Sequence, residues 1–262
     1  MLSRLAHAIF DSESFWRRVV RYGALWKHRD PVAWLEFRHV IDVECALRRE
    51  PKQGLRKRLA EEVFPEIVGK ACRMFHMRPT VYSLSWEELN TVCQIAAALA
   101  PRSAFEFGTF DGRTTAQLAL NTPADAVIYT LDIQAGNFEF GANASTLRRC
   151  RVGERVHESG LVDKVHFLTG DSRQIDLSAY DQTMDLVFVD ADHSYGGVLN
   201  DSAHAFRMVR PGGTIIWHDY LLINDVTQAL IELGKTRSLV NIEGTSLVVW
   251  RDKTGDGGML HA

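Results

Sequence analysis

The stretch Phe105-Glu106-Phe107-Gly108-Thr109-Phe110-Asp111-Gly112-Arg113-Thr114-Thr115 constrains the chain most: a β-prone apolar run ends in glycines and a helical pattern starts at once. That order reads as strand, tight turn and helix N-terminus. Gly108 lets the backbone pass close to a ligand, and Gly112 lets the new helix pack near its own strand. Glu106 stands two positions before the first glycine, where it repels a pyrophosphate that the free N–H groups of the helix start would otherwise attract. The spacing is Glu-x-Gly-x-x-x-Gly, not the dinucleotide fingerprint Gly-x-Gly-x-x-Gly, so a nicotinamide oxidoreductase is disfavoured. A second buried-type strand, Val127-Ile128-Tyr129-Thr130-Leu131-Asp132, ends in an acid 20 residues after Gly112. An aspartate there is placed to accept hydrogen bonds from the hydroxyls of a ribose.

Strand and helix patterns alternate from this point. Strands are expected near 103–107, 127–132, 164–168, 185–190 and 213–218, with helices from about 112, over 144–158, over 196–209 and near 225–234. Such alternation demands a parallel sheet with helices on both faces. Leu239–Ile242 and Ser246–Trp250 are β-rich and separated only by Glu243-Gly244-Thr245, which predicts a closing antiparallel hairpin. The expected architecture is α/β and Rossmann-like: a seven-stranded, mostly parallel sheet with a C-terminal antiparallel hairpin and an N-terminal helical extension. Ser85-Trp86-Glu87-Glu88 is a capping-box sequence, followed by Leu89, Val92, Cys93, Ala96 and Leu99 on one helical face. It divides the chain into a helical extension (1–82), a core (83–252) and a flexible tail (253–262).

The formal charge of −3 conceals an asymmetry: residues 1–80 hold 16 Lys+Arg against 10 Asp+Glu, the remainder 14 against 23. No dense basic run accompanies the positive front, so a solvated helical face is favoured and nucleic acid is not an expected partner. Apolar stretches fall far short of the roughly 20 residues of a membrane span, and the N-terminal sequence lacks the form of a signal peptide. Cysteines 45, 72, 93 and 150 form no Cys-x-x-Cys pair. Reduced core thiols in a cytoplasmic protein are the expectation. Helical periodicity through Phe15, Val19, Tyr22, Trp26, Trp34 and Phe37 leaves the front as either a lid over a substrate or a homo-oligomer interface.

Ligands of open α/β sheets sit at the carboxyl ends of the strands. Read this way the strands deliver Glu106 and Gly108, then Asp132, Asp171, Asp190, and finally His218 and Asp219. Five consecutive strand ends carry acid, which marks one rim as the site.

Taken together, Glu-x-Gly-x-x-x-Gly, Asp132 and the closing hairpin resemble class I S-adenosylmethionine (SAM)-dependent methyltransferases. Gly160 to Ser172 resembles the adenine-pocket segment of catechol and caffeoyl-CoA O-methyltransferases. Asp190-Ala191-Asp192-His193-Ser194-Tyr195 and Trp217-His218-Asp219 also resemble methyltransferases acting on sugar hydroxyls. The resemblance implies O-methylation of a small-molecule hydroxyl, sugar or phenolic; a non-catalytic SAM-binding regulator or scaffold is the alternative. It implies cofactor contacts at Glu106, Gly108, Thr109, Gly112, Asp132, Ile133, Asp171, Ser172 and Asp190. A divalent metal such as Mg²⁺ is implied at Asp190, His218 and Asp219, although His218-Asp219 replaces the Asp-Asn of the catechol type. Imidazole suits Mn²⁺, Fe²⁺ or Zn²⁺ better, which leaves the metal's identity and presence open. His193 stands three positions after Asp190, where those relatives carry a lysine base, so Asp190 and His193 are the catalytic candidates. Asp192 beside it is expected to raise the histidine pKa. His218 is the rival base, and a hydrogen bond within the loop is the bland role for His193.

Overall fold

The protein's computed structural model describes residues 46–47, 54–75, 83–140 and 148–252. Most of the expected helical front, including its aromatic stripe, and the tail lie outside these residues. The strands are β1 (Arg56–Arg58), β2 (Ser103–Phe107), β3 (Val127–Asp132), β4 (Asn137–Phe140), β5 (Arg148–Arg151), β6 (Val165–Thr169), β7 (Met184–Val189), β8 (Val209–Trp217), β9 (Val240–Ile242) and β10 (Val248–Arg251). The helices are α1 (Ala60–Val63), α2 (Trp86–Leu99), α3 (Arg113–Asn121), α4 (Glu154–Ser159), α5 (Tyr195–Met208) and α6 (Asn224–Gly234).

Eight strands form the main sheet in the order β1-β9-β10-β8-β7-β2-β3-β6. Only β10 is antiparallel to its neighbours, β8 and β9, as the closing hairpin requires. The expected count of seven is corrected to eight, because Arg56–Arg58 pairs in parallel with Val240–Ile242. This short, basic edge strand has no apolar alternation to betray it, and its charges suit an exposed edge. The expected helix over 144–158 is also corrected. Arg148–Arg151 pairs antiparallel with Asn137–Phe140 as a separate two-stranded sheet, and among the described residues of that span only those from Glu154 are helical, in Glu154–Ser159 after Gly153 at φ +70°.

Alternation along the strands divides the core into two layers. On β7, Leu186 and Phe188 join Leu89, Val92, Ile95 and Leu118 of α2 and α3 on one face. Val187 and Val189 join Val198, Met208, Val226 and Leu230 of α5 and α6 on the other. The capping box is present: Ser85 Oγ accepts from the Glu88 N–H (3.2 Å) and Glu88 Oε2 accepts from the Ser85 N–H (2.8 Å).

Buried Asn241 closes the β9–β10 turn, its Nδ2 donating to the carbonyls of Thr245 (3.0 Å) and Leu247 (2.8 Å). Asn241→Ala takes a donor from both carbonyls, leaving that of Leu247 with the Ile242 N–H (2.9 Å), and should destabilise the protein by about 1–3 kcal/mol in urea unfolding. A loss under about 0.5 kcal/mol would show that the turn is held by other contacts.

Candidate functional site

The carboxyl ends of β2, β3, β6, β7 and β8 open onto one cavity of about 790 Å³. Gly108, Thr109, Asp132, Ile133, Asp171, Ser172, Asp190, His193, His218 and Asp219 all line it.

The glycine turn is built differently from the sequence reading. Gly108, at φ +92°, gives way to protein rather than ligand, since a Cβ there would lie 2.0 Å from the Asp190 carbonyl oxygen. Gly112, at φ +80°, presses against Gly153 at the start of α4 and not against its own strand. Asp132 organises the turn: its Oδ2 accepts from the N–H groups of Thr109 (3.1 Å) and Phe110 (2.9 Å), and its Oδ1 from Gln134 (3.0 Å). Glu106 does not reach the cavity wall. Strand parity places it on the face of Ala104, beneath α3, where it is 1% exposed and accepts from the hydroxyls of Thr115 and Thr130 (2.6 Å to the latter). Burial pushes its carboxyl up to about 8, against the lowering effect of both threonines.

Four ionisable side chains meet at the ends of β7 and β8. His193 Nε2 lies 2.8 Å from Asp219 Oδ2 and 3.5 Å from Asp190 Oδ1. His218 Nδ1 lies 3.2 Å from both Asp190 Oδ1 and Asp219 Oδ1, and its Nε2 lies 3.3 Å from Glu88 Oε2. The hydrogen bonds to Asp190 and Asp219 outweigh burial and push His193 up to about 10. Buried His218 is held well above its ordinary range by the charges of Asp219, Asp190 and Glu88. Burial raises the Asp190 carboxyl, but the two histidines more than offset it and hold the group below the usual carboxylate range. Asp219 adopts φ +65°, a conformation uncommon outside glycine that recurs at functional sites. Asp192 is not the partner of His193 expected from its adjacency: it pairs with Arg173 and accepts from the Ser194 N–H (2.8 Å).

Donor atoms of Asp190, His193 and Asp219 all lie within 4.8 Å of one another, a set of two carboxylates and an imidazole compatible with a divalent cation. His218, expected as a ligand, instead has both ring nitrogens facing carboxylates. The sequence marks Glu88 only as part of a helix cap. Its second contact, to a strand end 130 residues away, leaves no local signal. At the far end of the cavity, Asp171 Oδ1 accepts from the Arg173 N–H (2.9 Å), and the Ser172 hydroxyl donates to Asp201 (2.5 Å).

No described helix is long and apolar enough to cross a membrane. Cys72, Cys93 and Cys150 are free thiols, and Cys45 lies outside the described residues.

Residues 105–220 match the family model described as a methyltransferase domain. Caffeoyl-CoA O-methyltransferase 2 of Populus trichocarpa is 28% identical over 149 residues, covering 55% of each chain. Caffeoyl-CoA O-methyltransferase 2 of Zea mays is 26% identical over 147 residues, 52% of this chain and 50% of that one. The chain thus spans about half the length of the curated relatives it matches. A putative O-methyltransferase from Klebsiella pneumoniae shares the fold at a TM-score of 0.51 and 18% identity, covering 79% of this chain and 93% of the other. The methyltransferase-domain match falls on the strands and loops that build the cavity, so the similarity lies where the candidate site is.

Proposed function

We propose that the protein transfers the methyl group of SAM to a hydroxyl oxygen of a small molecule, a sugar or a phenol. The observation that carries this reading is the cluster of Asp190, His193 and Asp219 on the wall of the cavity that Asp132 and the glycine turn also line. In the reaction the hydroxyl oxygen forms a bond to the methyl carbon while the carbon–sulfur bond breaks, and the sulfur keeps the electron pair as a neutral thioether. The protein's part is to align donor and acceptor and to remove one proton. Leu84, Leu222 and Ile223 line the same cavity and offer an apolar surface to a ring.

Asp190 and Asp219 are the residues proposed to hold a divalent cation, which when bound lowers the pKa of a hydroxyl. His193 is proposed as the base. Hydrogen-bonded to the carboxylates of Asp190 and Asp219 it is an imidazolium and cannot accept a proton; a cation held by those carboxylates would weaken that pairing and bring its pKa back toward neutrality. The 4.8 Å cluster also favours a second reading, in which His193 is itself a ligand.

His193→Ala separates the two roles. Loss of a base should lower kcat by about 10²–10⁴ with SAM and Mn²⁺ affinities intact. Loss of a ligand should weaken Mn²⁺ binding in calorimetry. Near-normal kcat in the variant would refute the base, and a wild type indifferent to EDTA would remove the cation.

Asp132→Ala should weaken SAM binding by about 1.5–3 kcal/mol, roughly tenfold to a hundredfold in Kd. Because the Thr109 and Phe110 amides lose their acceptor as well, the melting temperature should fall with it. Unchanged affinity would overturn the ribose assignment.

For the metal-free protein the pKa of His193 is raised from 6.5 to about 10. The stability it contributes is therefore complete below pH 6.5 and lost as pH climbs toward 10. In thermal melts with EDTA, His193→Gln should remove that part of the decline. An unaltered profile would mean that His193 is not paired in solution.

A further inference from the structure

Asp219 sits in a turn that departs twice from ordinary backbone. It has φ +65° and Leu221 has φ +70°, both in the left-handed region that side chains other than glycine rarely adopt. Such conformations persist only where the surroundings over-determine them. From the β9–β10 turn, Ser246 Oγ accepts from the Asp219 N–H (3.3 Å) and the Ser246 carbonyl from the Tyr220 N–H (3.1 Å). From α6, Thr227 Oγ1 accepts from the Leu221 N–H (2.9 Å). The Asp219 carbonyl accepts from the N–H groups of Leu222 (3.2 Å) and Ile223 (3.1 Å), two residues that line the cavity.

Between the two left-handed residues stands Tyr220, whose side chain is buried with Trp217, Val226 and Leu230 and takes no part in the cavity wall. Its hydroxyl oxygen accepts from the Leu55 N–H (2.9 Å), 165 residues away along the chain. Leu55 immediately precedes β1 and packs against the end of α6, where a Cβ on Gly234 would lie 2.5 Å from Leu55 Cδ2. The ring is thus held along its length by the core and at its tip by a backbone amide. Relaxation of Asp219 to an ordinary negative φ would swing that ring out of place, so the bond to Leu55 helps to keep the turn left-handed.

We infer that Tyr220 is a positioning residue: tethered to Leu55, it holds Asp219 in the conformation that presents its carboxylate to His193, 2.8 Å away, and to a cation. The short strand at the sheet edge thereby becomes part of the scaffold of the site. The inference rests on the proposed reading of Asp190 and Asp219 as the carboxylates that hold a cation.

Tyr220→Phe removes the hydroxyl and keeps the ring. Calorimetry on the full chain, well below its melting temperature, would measure Kd for Mn²⁺ and for S-adenosylhomocysteine. A contact that only stabilises the fold lowers the melting temperature and leaves the affinities of the folded protein alone. A positioning contact should raise the Kd for Mn²⁺ by about tenfold, the lower end of what loss of a supporting partner costs a metal site. Affinity for S-adenosylhomocysteine should hold, because Asp132 and the glycine turn stand on other strands. Leu55→Pro takes the donor from the same bond and should weaken Mn²⁺ by a like factor, which decides the matter should Tyr220→Phe not fold. Wild-type Mn²⁺ affinity in either folded variant overturns the inference and leaves Tyr220 a structural contact. An equal fall in both affinities also overturns it, since that reports a general loosening of the cavity. A wild type that binds no Mn²⁺ removes the cation reading itself, and this inference with it.

Discussion

The carboxylate of Glu88 joins three parts of the chain that are far apart in sequence. Its Oε2 completes the cap of α2 and faces His218 Nε2, while its Oε1 accepts from the N–H (2.7 Å) and hydroxyl (2.6 Å) of Ser246 in the β9–β10 turn. At 1% exposure such a charge is tolerable only because every lone pair has a donor. Burial opposes its ionisation, and the charge and hydrogen bonds of His218, with those of Ser246, reverse that effect and keep the carboxyl below its ordinary range. A buried pair of this kind contributes little net stability. Its contacts tie α2, the closing hairpin and the end of β8 to one another.

The same contacts make the neighbouring pair of acids tolerable. Asp190 and Asp219 stand on adjacent strand ends and would repel each other. His218 lies behind both and His193 in front, so negative and positive groups alternate from Glu88 outward. The positive φ of Asp219 is consistent with backbone bent to bring its carboxylate into this alternation. Glu106 shows the opposite outcome. One residue of strand parity sends it under α3 instead of into the cavity, where two threonine hydroxyls satisfy it and burial favours its neutral form.

Much of this was legible in the sequence, because it is local. Capping at Ser85, the positive-φ glycines at 108 and 112, the apolar strands and the acids at their ends are properties of a few consecutive residues. The parallel sheet and the position of the site follow from them. Asp132, Asp190, His193 and Asp219, which the sequence sets at or just past strand ends, all line the cavity for that reason.

Partnership across long separations was decided only by the tertiary structure. Arg56–Arg58 became the eighth strand because β9 offered it an edge, and Arg148–Arg151 left a helical pattern because Asn137–Phe140 offered it a partner. His218 and His193 are equally placed to bind or catalyse as residues in a string; both line the cavity, and it is Glu88 arriving from α2 that engages His218 and leaves His193 the more exposed of the two. Residue order along the chain determined which groups reach the rim, since strand length and parity fix that locally. Pairing among them followed from distance and burial, which exist only after the chain has closed.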